Sequence, residues 1–158
     1  MSEIIHYDPS KGNAVQGDVI IVPLPADTKF SREQPIQRDG NEQVLAYGEV
    51  TGHHHGITNG LRSPEPTMFR DDAMAADLAV KAPVAIGTAQ LYKDDAAIQA
   101  LASKGLANSR LAVGLLEVKD GPVDLHHQEH ATIRIPAGLY YIGNQQEFDA
   151  GEARRVAD

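Results

Sequence analysis

Residues 110–142, RLAVGLLEVKDGPVDLHHQEHATIRIPAGLYYI, read as β-structure from end to end. Arg110 to Val118 is a mostly apolar run of strand length, and Gly121-Pro122 is a turn pair. Val123, Leu125 and His127 then alternate with polar positions. Thr132 to Ile135 (TIRI) puts Ile133 and Ile135 on one face, the period of two that a half-buried strand requires. Pro136-Ala137-Gly138 turns the chain into a further strand, Leu139 to Ile142. Two more strands stand upstream: the β-branched Asp18 to Leu24 (DVIIVPL), bounded by Gly17 and by Pro23 and Pro25, and Glu42 to Thr51 (EQVLAYGEVT). Between them Asp27 to Asn41 has charges and Pro35 but no periodicity, and reads as an exposed loop.

The middle of the chain differs. Residues 57–73 are loop-like, with Asn59-Gly60 and Pro64-Glu65-Pro66. Asp71-Asp72 is placed to cap a short helix across AMAADLAV. Asp94-Asp95 is placed to cap a better one across AAIQALASK, ended by Gly105 at the C′ position. A strand is expected around Val84-Ala85-Ile86, and the tail GEARRVAD reads as a frayed helix or an extended arm. The sum predicts a mostly β, single-domain β-sandwich or small barrel over 1–158, with 57–109 as a loop and helix insertion.

Composition narrows the function classes. The 158 residues are 42% hydrophobic and 23% charged, in the range of an ordinary globular domain with room for a core. A formal net charge of −8 and no basic cluster argue against nucleic acid, and 5% aromatic residues with no Trp argue against a base-stacking platform. With no Cys there are no disulfides, thiolate ligands, iron–sulfur clusters or thiol nucleophiles. MSEIIHYDPSKG has no basic segment followed by an apolar run, and no stretch is long and apolar enough to span a bilayer, so no membrane partner is expected. The expected location is the cytoplasm where the chain is made, or a virion if it is phage-encoded.

Six of the seven histidines fall in two clusters, His53-His54-His55 and His126-His127 with His130. Imidazole is the commonest metal-binding side chain. If the strand before it continues, His53 and His55 share a face with Cα atoms about 6.6 Å apart, a spacing from which two rings converge on one ion, while His54 points away. In a straight strand His126 and His130 would lie about 13 Å apart and His127 and His130 would face opposite sides. The second cluster therefore works only if Gln128-Glu129 form a turn or bulge. On these grounds the expected ligands are His53, His55, His127 and His130, with His126, Glu49 and Glu129 as alternates. Such a set suits a divalent transition metal: Zn, Fe, Mn, Ni or Co. Two other readings stay open, a pH-responsive or trimer-axis histidine cluster and a solvent-facing patch with no ligand. His6 reads as a surface residue.

Ile135 to Tyr141 (IPAGLYY) resembles the second cupin motif, with Tyr141 where that motif has histidine, and Gly48 to His55 has an HxH that resembles the first. A closer resemblance is to an uncharacterised group of small bacterial and phage-encoded proteins, through Gly17-Asp18-Val19, Gly48 to His55, His127 to His130, Pro136 to Tyr140, Gln146 to Phe148 and Arg154 to Asp158. It implies that the two histidine clusters act as a unit but implies no reaction. GxSxG, P-loop, GxGxxG and HExxH patterns are absent.

Three functions follow as expectations. The first is a non-enzymatic structural or binding protein with a histidine-built metal site, a homo-oligomer or part of a larger, virion- or capsid-associated assembly. The second is a small cupin-like metalloenzyme activating water or dioxygen, with Glu49 or Glu129 as base and Tyr140 or Tyr141 as hydrogen-bond donor. The third is an adaptor recognised through its 57–109 segment.

Overall fold

The computed structural model describes residues 4–47, 53–59, 87–149 and 152–155. Its strands are β1 (Ile4–His6), β2 (Ala14–Gln16), β3 (Val19–Leu24), β4 (Glu42–Tyr47), β5 (His54–Thr58), β6 (Thr88–Tyr92), β7 (Ala112–Lys119), β8 (Val123–His126), β9 (Thr132–Ile135), β10 (Gly138–Asn144), β11 (Gln146–Asp149) and β12 (Glu152–Arg155). A 3₁₀ turn, Pro9–Lys11, follows β1, and a helix, α1 (Asp95–Ser103), follows β6. The first sheet has the order β1-β9-β8-β5-β4 and the second β2-β3-β10-β7-β6, and among the described residues β11 and β12 pair with each other as a separate two-stranded sheet. The two five-stranded sheets remain separate, so the fold is a sandwich and not a closed barrel.

Alternation along the strands explains the packing. Val19 and Ile21 of β3, Leu116 and Val118 of β7, and Tyr140 and Ile142 of β10 face Leu45, Ile57, Val123, Leu125, Ile133 and Ile135 of the first sheet. Each fully buried Leu or Ile in this layer contributes about 1.5–3 kcal/mol. The other parity of the second sheet, with Val22, Leu24, Leu115 and Tyr141, is covered by Ile98 and Leu101 of α1. Asp94 caps α1 by accepting from the Ala97 N–H at 3.0 Å, and Gly105 follows its end at φ 77°, where a Cβ would be strained.

The rim where β4 and β6 meet is sealed by side chains. Gln43 Oε1 accepts from the Leu91 N–H at 3.0 Å, and Asn59 Oδ1 accepts from the Ala89 N–H at 2.6 Å. Arg38 Nη2 donates to Ala89 O at 3.0 Å, and the Ile36 N–H donates to Leu91 O at 2.8 Å. The 27–41 stretch expected to be an exposed loop is thus partly a cover for the edge of β6, with Ile36 packed on the core.

Several boundaries differ from expectation. Part of the 57–109 span expected to be an insertion is integral to the sandwich, since Ile57 lies in the core and β6 pairs along its whole length with β7. The strand expected near Val84-Ala85-Ile86, the helix across AMAADLAV and residues 48–51 of the strand expected over 42–51 lie outside the described residues. The tail takes the extended of its two expected forms, pairing as a strand from Glu152 to Arg155. β1 and β2 were not expected. Each has three residues and no usable period, and β1 exists through parallel pairing with β9.

Candidate functional site

The site lies at one end of the sandwich and draws on both sheets. β5 and β8 are antiparallel neighbours with Gly56 opposite His126 and Ile57 opposite Leu125. Extending that register sets His55 beside His127, on the inward face that Ile57 and Leu125 occupy. β8 ends at His126 and β9 begins at Thr132, so residues 127–131 form a bend and not a strand. This is the condition the second cluster needed, and it turns His130 back toward β5.

The rings gather accordingly. Ring centroids lie 4.3 Å apart for His55 and His127, 4.5 Å for His127 and His130, 5.7 Å for His53 and His127, and 6.2 Å for His55 and His130. His55 is wholly buried and His127 nearly so, whereas the His53 side chain is 28% exposed. Glu129 reaches to 3.6 Å of His53 Nδ1. Its backbone N–H donates to His127 Nδ1 at 3.0 Å, which puts the proton of a neutral His127 on Nε2. His126 and His54 take the opposite face. His126 Nδ1 lies 3.2 Å from Thr132 Oγ1, and His54 Nε2 lies 3.0 Å from Glu42 Oε1, over the bare backbone of Gly56. Glu49 lies outside the described residues, and His6 is exposed as expected.

Two residues that the sequence analysis did not select complete the arrangement from the second sheet. Gln16 ends β2 and Asp18 precedes β3, in a two-residue hairpin turn whose first position, Gly17, has φ 56°. Both are buried, at 3% and 2% exposure. Gln16 Nε2 donates to Leu125 O at 3.1 Å and to Ala131 O at 2.8 Å, which orients the amide so that Oε1 faces His55 Nδ1 at 2.7 Å. His55 Nδ1 must therefore be the donor. Its Nε2 lies 3.3 Å from Asp18 Oδ1. The signal for Asp18 was a carboxylate opening an otherwise β-branched apolar strand, within the Gly17-Asp18-Val19 motif. Gln16 had none.

Tyr140 and Tyr141, expected as hydrogen-bond donors at the site, are used elsewhere. Tyr140 OH donates to Pro136 O at 2.7 Å and Tyr141 OH to Asn108 O at 2.9 Å. Burial pushes both phenols above their ordinary range. As the side chains stand, no group of three or more His, Asp or Glu among the described residues is arranged to hold a metal ion. With Nδ1 accepting from the Glu129 N–H, the Nε2 of a neutral His127 carries the proton and has no lone pair to give.

Residues 15–92 match the family model described as Domain of unknown function (DUF8820). The matched span includes Gln16, Asp18 and the first histidine cluster but ends before the second. No curated protein and no solved structure matches the chain.

Proposed function

We propose that the end of the sandwich is a divalent-transition-metal site, and that the protein is a non-enzymatic structural or binding protein in which the ion ties one sheet to the other. The observation that supports this best is the pairing of His55 Nε2 with Asp18 Oδ1 across the two sheets, at 3.3 Å and with both groups buried. With Nδ1 donating to Gln16, the Nε2 of a neutral His55 aims a lone pair at a carboxylate. A proton or a cation between them relieves that opposition. Donor atoms about 2.0–2.1 Å from a tetrahedral ion stand ~3.3 Å apart, so the spacing suits two ligands of one Zn-like ion. A ring N–H held by a carbonyl oxygen is also the usual outer partner of a metal-bound histidine.

His130 and His127 supply the two remaining ligands of a four-coordinate ion in this reading, with His53 beside them as the alternate. His127 joins by giving up the Glu129 N–H bond and turning its ring. Ligands drawn from two sheets and largely buried favour a staple over an open catalytic centre. The resemblance to small bacterial and phage-encoded proteins supports the finer form of the proposal, a homo-oligomeric component of a virion- or capsid-associated assembly. Its presence in purified particles would be read by mass spectrometry.

Elemental analysis of untagged protein purified without chelator, followed by Zn²⁺ and Co²⁺ titration, tests the metal site. One equivalent of ion and an intense tetrahedral Co²⁺ spectrum are expected. His55→Ala and His130→Ala should each lower affinity and be strongly non-additive, because they share one ion. Additive effects, or no binding by the wild type, would overturn the proposal.

A further inference from the structure

Gln16 joins His55 to both ends of the segment that carries the second histidine cluster. We infer that Gln16 is its positioning residue: its side-chain oxygen selects the His55 tautomer that can bind a metal, and its side-chain nitrogen pinches shut the bend that holds His127 and His130. This rests on the metal reading for its purpose, but not for its geometry.

The first half follows from competition for one proton. Neutral His55 has a choice between Nδ1–H and Nε2–H. Asp18 Oδ1, 3.3 Å from Nε2, favours the Nε2–H form, because a carboxylate attracts an N–H and repels a lone pair. That form places the proton on the nitrogen a metal would need. Gln16 opposes it with a shorter contact, 2.7 Å to Nδ1. The Gln16 oxygen can only accept, since the amide orientation is set by two carbonyl partners, Leu125 O and Ala131 O. The result keeps the proton on the Gln16 side and the Nε2 lone pair on the Asp18 side.

The second half follows from where those two carbonyls sit. Leu125 is in β8 just before His126-His127, and Ala131 immediately follows His130. One NH₂ group therefore bridges both ends of the segment that contains the second histidine cluster, at 3.1 and 2.8 Å. Gln16 belongs to the second sheet and the bend to the first, so the contact also fixes the distance between sheets at the site. A side chain of the same length without the amide, methionine, would lose both functions. Glutamate would keep the acceptor and lose the donors.

The test is long-range ¹H–¹⁵N NMR of the His55 ring in metal-free wild type, Gln16→Met and Gln16→Glu, with Zn²⁺ affinity measured on each. The wild type should show a protonated Nδ1. Gln16→Met should move the neutral ring to the Nε2–H form and lower Zn²⁺ affinity about 10–100-fold, the usual cost of losing an outer-shell partner. Gln16→Glu should keep the Nδ1 proton while the 126–131 amides exchange faster. A wild-type ring with the proton on Nε2, or a Gln16→Met ring unchanged from wild type, overturns the inference. If the tautomers behave as expected and Zn²⁺ binds to none of the three proteins, Gln16 keeps its positioning role and the metal proposal falls.

Discussion

Asp124 and Arg134 stand opposite one another on β8 and β9, with Arg134 Nε and Nη2 donating to the two carboxylate oxygens at 2.7 and 2.8 Å. Both residues are buried, at 3% and 7% exposure, and the hydrogen bond to Asp124 holds the guanidinium proton more firmly than usual. Removing one partner strands the other's charge. Asp124→Ala should cost about 3–5 kcal/mol in urea denaturation, while Asp124→Leu with Arg134→Met should come out near neutral. Tyr140 gives a second residue-scale expectation. Tyr140→Phe loses the bond to Pro136 O and should cost about 1 kcal/mol. Burial raises the Tyr140 and Tyr141 phenols in the folded state, so the native protein holds those protons more tightly than the unfolded chain. Their contribution is therefore fully present below about pH 10 and is lost as pH rises through the folded values. Tyrosinate absorbance and loss of tertiary structure should appear together on alkaline titration. At this scale His53, His55, His127 and His130 were legible because histidine clusters are conspicuous. Gln16 was not, because a glutamine is distinguished only by what it bonds, and its partners are remote in sequence.

At the scale of elements, legibility followed the length of the apolar pattern. β3, β7, β9 and β10 declare themselves through β-branched or alternating runs, and α1 through Asp94 and Gly105 at its ends. β1 and β2 have too few residues for any period and are defined by the strands beside them. The histidine bend between β8 and β9 was recoverable only as a condition, because HHQEH has no Gly or Pro to mark it. The covered rim yields an expectation that propensity would reverse. β6 is an edge strand, whose outward N–H groups ordinarily exchange quickly. The Ala89 and Leu91 amides are instead held by Asn59 and Gln43, and should be protected like interior ones. Gln43→Leu should remove the protection at Leu91 and cost about 1–3 kcal/mol by leaving a buried donor without its acceptor.

Over the whole molecule, the inter-sheet layer and the helix on the outer face were implied by the sequence as a β-rich domain with one helical segment. The assignment of strands to sheets was not, because period-two patterns give faces and never neighbours. The metal proposal has a global consequence. An ion binding only the folded state at 100 times its dissociation constant adds about 2.7 kcal/mol of stability. For a domain of this size that should raise Tm by roughly 5–10 °C on Zn²⁺ addition, measured by calorimetry and absent in Asp18→Asn.

The bonds from Gln16 to Leu125 and Ala131 span 109 and 115 residues. A ribosome delivers Gln16 early and the two carbonyls late. Until Ala131 has cleared the exit tunnel, the amide lacks its second carbonyl partner and the bend cannot be closed. Stalled chains ending before that point should lack the site altogether. Its assembly waits for the second histidine segment, timed by synthesis as much as by folding.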